Sequence, residues 1–453
     1  MTLQISARQL THSISWSIVI AGLGAIAAFA SQTVLARGFG ADAFGVSVYA
    51  MGWANLLQVW GAWGLSSAIA RFAPGYSMTE GTQELKALMR FSYVVILLFT
   101  VAVALLIALG PTSALVTKVS ANRPWLLLIL ILSTTGLDLN ASALTYTGHA
   151  VVSQVIQGLV RPVAALVVAI VWPFVLPVGR ESALLIVTGS VALAFVLSTV
   201  ACIRTFGIRD FVDIGTPAQW KIWLRYSTPY IISATAISLI STQLDTIVVG
   251  TMLTQRDAGV YAVGASLANL VHLAPQAVER VLAPRFNAAI DLRGMEEQVA
   301  RLADLVTANA MSALGSCVVV MVIAQPLLAL FGKDFTQSVL ISVILAVGVF
   351  IARTGSVGAS TVLQATGFQQ RAALINIVVA VFAAGSSILM TRHFGLIGTA
   401  VATVVSGILR AVALSVAQHL SVDLRLTRRD IMAAVRRSRT QLAALQASIL
   451  PRR

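Results

Sequence analysis

Apolar runs long enough to cross a bilayer follow one another through this 453-residue chain, and their succession limits the fold more than any motif does. About 20 apolar residues span a ~30 Å hydrocarbon core. Twelve segments reach that length: residues 14–36, 44–70, 91–109, 125–146, 151–176, 183–203, 230–253, 260–281, 305–330, 339–363, 372–390 and 396–416. Inside lipid every backbone N–H and C=O must be paired within the protein, so spans are helices or strands of a closed barrel. These runs are continuously apolar and show no alternation of period 2, which predicts helices. The fold class is therefore an all-α integral membrane protein with about 12 transmembrane helices. Charged residues are 11% of the chain, against roughly 25% in soluble domains. The first run starts near Ile14 and has no small-residue cleavage site followed by a polar mature domain. It is read as the first span and not as a cleaved signal.

A net charge of +14 raises the question of nucleic acid. Nucleic-acid binders gather basic residues on a solvated face, whereas here they sit in short breaks between apolar runs. No nucleic-acid partner is expected. With the N-terminus inside, cytoplasmic segments hold 21 Lys and Arg and outside segments hold 7. That threefold bias predicts a multi-pass protein of a bacterial cytoplasmic membrane with both termini in the cytoplasm. Cys202 and Cys317 lie in separate apolar segments, and the five histidines form no metal-ligand spacing, so neither a disulfide framework nor a metal site is expected. After Ser421 eight arginines alternate with apolar residues at roughly helical spacing. Residues 421–453 are thus expected to form a basic amphipathic tail on the anionic inner leaflet, or a partner-binding or disordered tail.

The chain also repeats itself. At a shift of 214 residues Gly45-Val46 falls on Gly259-Val260, Ala54-Asn55-Leu56 on Ala268-Asn269-Leu270, and Arg71-Phe72 on Arg285-Phe286. At a shift of 219, Leu144 and Thr147-Gly148 fall on Leu363 and Thr366-Gly367. Six spans separate the copies, so both halves enter the membrane in the same direction. Two six-helix bundles, residues 1–215 and 216–420, are expected, related by a pseudo-twofold axis along the membrane normal with a cavity between them. Parallel halves of this kind are transporter architecture.

Several stretches resemble one family. Leu35–Gly45 (LARGFGADAFG) looks like the first inter-helix loop of polysaccharide transporters in the multidrug/oligosaccharidyl-lipid/polysaccharide exporter superfamily. Leu244–Gly250 (LDTIVVG) and Ala258–Ala262 (AGVYA) are similar to the same family's seventh span and the loop after it, and Ala283–Phe286, Leu330–Gly332, Ala365–Gly367 and Phe394–Ala400 also fit. The likeness runs from about Ser15 to Leu420. It implies a Wzx-type flippase that moves undecaprenyl-diphosphate-linked oligosaccharides to the periplasmic leaflet for O-antigen, capsule or exopolysaccharide assembly. The resemblance implies membrane lipids as its partners, with a polysaccharide polymerase and a chain-length regulator as further candidates. No cofactor is implied, with coupling to H+ or Na+ left open. The alternative is a multidrug or small-molecule exporter of the same superfamily, which favours acidic cavities. An enzyme such as a polysaccharide polymerase or ligase would carry a large periplasmic loop, and the longest outside break here is about fifteen residues. No enzyme is expected.

An ionisable group at the bilayer centre costs about 2.5–3.5 kcal/mol on insertion scales, so it faces a cavity or a partner. Five lie within the spans: Asp138, Arg161, Asp245, Arg353 and Arg410. Asp138 and Arg161 stand about equally far from a hairpin turn near His149. They are expected to form an ion pair that either pins two helices or releases its arginine to substrate. Arg353 has no acidic residue nearby in sequence, so it is either a diphosphate contact through its planar fork or a structural arginine bonded to carbonyls. Arg410 lies close enough to the inner end of its span to snorkel. Asp245, beside Ser241, Thr242 and Gln243, would bind a coupling cation or proton, or close a network with an arginine. Arg71 and Arg285 coincide under the repeat at the cytoplasmic ends of two spans. They are either flanking charges or a symmetric pair that captures an anionic head group. Arg37, in the first outer loop, matches the family pattern and is a weaker substrate contact.

Overall fold

The structure is a computed structural model and describes residues 7–78, 82–110, 113–120, 122–206, 219–240, 242–292, 294–422 and 426–437. Helices make up nearly all of it: α1 (Ala7–Gly61), α2 (Leu65–Met78), α3 (Thr82–Ala108), α4 (Ser113–Ser120), α5 (Pro124–Leu144), α6 (Ala150–Val155), α7 (Arg161–Val175), α8 (Ser182–Phe206), α9 (Trp220–Ile240), α10 (Thr242–Met252), α11 (Gln255–Asn269), α12 (Leu273–Leu292), α13 (Met295–Ala329), α14 (Ser338–Ala365) and α15 (Gln369–Ser421). No strand occurs among the described residues. Helix α1 has 55 residues, the run Pro124–Val175 has 52 and α15 has 53, each enough for two crossings. Each is broken at a glycine with positive φ: Gly40 (82°), Gly148 (94°) and Gly395 (60°). A side chain with a Cβ avoids that conformation. The result is a membrane protein of about twelve spanning helices.

Three expected spans are not continuous. The second breaks between Gly61 and Leu65, where Trp63 and Gly64 take positive φ. The seventh is a pair, α9 and α10, bent by 64°. The eighth tightens into a 3-10 turn at Leu270–His272 between α11 and α12. Apolar content alone does not reveal such breaks, because the residues on both sides remain lipophilic. The lipid-facing surface is what a bilayer solvent requires. On α3, Leu97, Leu98, Leu105 and Leu106 are 57%, 63%, 58% and 53% exposed, an apolar face that water would not tolerate on a monomer.

The helices group into two compact units. One comprises Met1–Ser238, Val249–Val260 and Leu330–Asp334. Its core holds Leu65, Ile69, Leu88, Met89, Leu139, Leu144 and Trp223, all buried. A polar seam ties α3, α5 and α8: the Asn140 amide donates to Ser198 and Thr199 at 3.0 Å each and accepts from the Tyr93 hydroxyl. Small residues bring backbones together, as is common where lipid supplies no hydrophobic drive between helices. A Cβ at Gly24 would overlap the carbonyl of Gly158, and one at Gly45 would overlap the carbonyl of Gln255. One at Gly259 would lie 3.1 Å from the Cα of Gly45. The two glycines matched by the repeat therefore meet each other.

The other unit comprises Leu239–Val248, Tyr261–Ala329 and Phe335–Arg453. Phe286, Leu302 and Val362 form one buried cluster, with Val422 and Leu426 packed on it. Phe286 is fully buried and its repeat partner Phe72 packs against the core of the first unit, while Arg71 and Arg285 beside them are exposed. Beyond α15, residues 428–437 form a further helix. Ala434 on it is fully buried, and Arg437 bonds Asp304 of α13 at 2.8 Å. Part of the basic tail thus docks on protein. Its continuation, with Arg439, Arg452 and Arg453, lies outside the described residues.

Candidate functional site

The charged groups of the spans fall into three settings. The first is around Arg353, on α14 of the second unit. Its Nη1 donates to Glu279 Oε1 at 2.6 Å and its Nε to His272 Nδ1 at 2.9 Å. The side chains are 19% exposed for Arg353 and 27% for Glu279, so the pair is largely withdrawn from solvent. Asn309 of α13 donates through Nδ2 to the same Glu279 oxygen at 2.8 Å, while its own Oδ1 is buried without a partner. Arg410 on α15 bonds Asn376 Oδ1 at 2.9 Å. The lack of an acidic residue near Arg353 in sequence is thus corrected in space. Helix α12, starting again after the 3-10 turn, carries Glu279 to it from 74 positions away. Arg410 does not simply reach out to the interface. An amide in the protein takes its Nε.

The second setting is Asp245 on α10, only 4% exposed. Its carboxylate accepts from Thr403 at 2.5 Å, Tyr261 at 2.8 Å and Ser387 at 3.3 Å. Among the described residues no arginine enters this network, against the expectation that one would close it. Three neutral donors solvate the charge without cancelling it, an environment in which a proton or a cation is the natural complement.

The third setting is in the first unit and overturns the expected ion pair. Asp138 accepts from Ser66 at 2.7 Å, so its carboxylate turns toward α2. Among the described residues Asp138 and Arg161 form no ion pair. The expectation assumed two ideal helices on either side of a turn. Instead the chain makes π-helical turns at Thr145–His149 and Ile156–Val160, which shift the phase of everything after them. The second follows from Pro162, which has no N–H to offer the carbonyl four residues back. Arg161, at the start of α7, is half-buried and has no hydrogen-bond or ion-pair partner among the described residues.

Arg37, Arg71 and Arg285 are exposed and enter no ion pair with any described residue. The structure does not bring them into the clusters above. It does assemble a site that the sequence reading missed. A cavity of about 650 Å³ in the first unit is lined by Thr117, Lys118, Asn122, Arg180, Glu181 and Gln255, among others. Lys118 donates to the carbonyl of Thr251 at 2.7 Å, and Arg180 to the side chain of Gln255. All of these come from breaks assigned to the outer face, so the alternation of the spans is respected. Among the described residues no group of three or more His, Cys, Asp or Glu stands close enough to hold a metal ion.

Comparisons with known proteins place this geometry. A family model described as polysaccharide biosynthesis protein matches residues 10–290. No curated protein is similar in sequence at a significant level. Among solved structures, the inward closed lipid II flippase MurJ is similar over 97% of this chain and 94% of its own, with 16% identity and a TM-score of 0.73. An inward-facing multidrug resistance MATE family transporter of the MOP superfamily is similar over 90% and 100%, with 15% identity and a TM-score of 0.68. The multidrug transporter DinF-BH follows at 15% identity and 0.57, over 92% and 97%. At these identities the likeness is one of fold alone.

Proposed function

We propose that this chain, which belongs to the polysaccharide biosynthesis protein family, is a flippase for an undecaprenyl-diphosphate-linked oligosaccharide in a bacterial inner membrane. Both termini would be cytoplasmic, and the product would feed O-antigen, capsule or exopolysaccharide assembly, with a polymerase and a chain-length regulator as downstream partners. The observation that carries this reading is Arg161. A guanidinium inside a membrane unit, half-buried and without an anionic partner among the described residues, is costly to keep unless an anion visits it. A diphosphate is the anion that a planar fork receives best. No bond of the substrate is broken and no cofactor enters. Alternating access moves the head group while arginines neutralise its phosphates, polar side chains hold the sugars and the prenyl tail stays in lipid. The exposed Arg37, Arg71 and Arg285 would meet the head group at the two faces.

The test is export per inserted molecule. Arg161→Ala should lower polysaccharide export at least tenfold, about 1.4 kcal/mol of lost interaction, with protein level in the membrane unchanged. Arg161→Lys, which keeps the charge and loses the fork, should retain part of the activity. Normal export per molecule in Arg161→Ala would sink the reading. The multidrug-exporter alternative draws on Asp245, a buried acid among hydroxyls. Extrusion of a cationic dye that stops in Asp245→Asn, with polysaccharide export unaffected, would favour it. In the flippase reading the same carboxylate serves a coupling H+ or Na+.

A further inference from the structure

The Arg353 cluster carries a step that the flippase reading leaves open, and the inference rests on that reading. We propose that Glu279 is a resident competitor for the substrate's diphosphate. It occupies Arg353 while the site is empty, is displaced when the diphosphate arrives, and passes as a protonated carboxyl to Asn309.

The charges argue for displacement. Two guanidiniums, Arg353 and Arg410, sit on helices that touch beside them, at Gly355 and Ala411, and one carboxylate, Glu279, offsets only half of their charge. Among the described residues these three and His272 are the charged and titratable groups of the cluster, from α14, α15, α12 and the turn before it. Helix α13 contributes the neutral Asn309. Arg353 always donates, so the His272 nitrogen facing its Nε must accept, and an accepting imidazole adds no positive charge there. A diphosphate brings about two negative charges at neutral pH and matches both arginines. Geometry agrees. Glu279 holds Arg353 through a single Nη1 contact of 2.6 Å, with Nε given to His272. The parallel two-bond fork that makes arginine a strong oxyanion ligand is not used. Glu279 is thus a ligand that a better one can replace.

Asn309 shows where the displaced group goes. Its Nδ2 already donates to Glu279 Oε1, while its Oδ1 is buried with no donor among the described residues. A buried acceptor left empty is costly and calls for a donor. A carboxylate cannot be that donor, but a carboxyl group can. When diphosphate takes Arg353, Glu279 loses its counter-ion in a half-buried site and binds one proton from water. Its O–H then donates to Asn309 Oδ1. The cluster passes from one net positive charge to neutral: two phosphate charges arrive and the proton cancels the one that leaves Arg353. Substrate binding and proton uptake are linked accordingly.

The full chain in detergent, titrated calorimetrically with a short-prenyl-diphosphate-linked sugar, whose doubly esterified diphosphate has no proton of its own to exchange near neutral pH, in two buffers of different ionisation enthalpy, tests this directly. Wild type should take up about one proton per diphosphate bound. Glu279→Gln, a permanent mimic of the neutral carboxyl, should bind about tenfold tighter and take up none. Binding by wild type without proton uptake would overturn the competitor and leave the flippase reading standing. Equal affinity of wild type and Glu279→Gln would do the same. Absence of binding by both proteins would overturn the diphosphate reading and this proposal together. If Glu279→Gln does not fold, the proton count of wild type alone decides.

Discussion

A single Cβ separates the two glycines whose substitution best probes the close approaches. At Gly45 the added atom would overlap the backbone carbonyl of Gln255, which cannot rotate away, whereas at Gly22 it meets nothing. Gly45→Ala should destabilise by about 1–3 kcal/mol, as overpacking does. Gly22→Ala, on an exposed helical face, should be neutral or stabilising by up to about 1 kcal/mol, the propensity gain. Thermal unfolding of the two variants in the same detergent checks the contrast. A Gly45→Ala protein as stable as wild type would mean the helices are not in contact there. The repeat made Gly45 and Gly259 legible as equivalent positions of two copies, while their contact with each other came only with the structure. Charged residues were legible only as isolated groups. Arg353 and Glu279 stand 74 positions apart, so sequence proximity could not show their pairing. Asp138 and Arg161 were paired wrongly because counting residues from a turn presumes an unbroken helical phase.

At the scale of elements, spans were legible and their interruptions were not. Twelve apolar runs give the helices because lipid demands internal pairing along each. The 64° bend between α9 and α10 and the 3-10 turn before α12 leave no trace in hydropathy. The tail is a further case. Basic residues at helical spacing pointed to the helix, but Ala434 and Arg437 show that one face meets protein. Its start is a capping arrangement. The Asp430 carboxylate accepts from the Thr427 N–H at 2.8 Å and hydroxyl at 2.6 Å. The hydroxyl bond and then the backbone N–H hold Asp430 below the usual carboxylate range. A depressed folded pKa means that the cap stabilises the helix above the unfolded value. That stability is lost as pH falls through the folded one. Hydrogen exchange of residues 428–437, corrected for intrinsic rates, should stay protected at neutral pH and lose protection only below about pH 4. Asp430→Ala should already lack that protection at neutral pH. Equal protection in the two proteins would show that docking on α13, and not the cap, holds the helix.

For the whole molecule the question is which way the alternating spans face. The segments assigned to the outer side by charge come from distant parts of the chain, yet in the first unit they converge. Lys118 reaches the end of α10, Arg180 reaches Gln255, Arg123 bonds Glu181 at 2.9 Å, and Arg256 bonds Asp334 at 2.7 Å. An odd number of missed or false spans between any two of these breaks would have put them on opposite sides. The convergence therefore supports the parity of the span count between residues 118 and 334. It is blind to inversion of the whole array, which only the charge bias addresses. Lys and Arg are held back at the cytoplasmic face during insertion, and threefold more of them lie in the segments assigned inside. Alkaline phosphatase folds and works only in the periplasm, so it reads orientation one break at a time. Fused after Pro177 or Thr254 it should be active, and fused after Arg453 it should be inactive. The first two sites bound breaks that meet in the structure, so they must agree with each other whatever the orientation. Activity at both and at the terminus would mean an extra or missing crossing after Thr254. Silence at both with an active terminus would invert the molecule. The outer cavity at Lys118 and Arg180 would then face the cytoplasm.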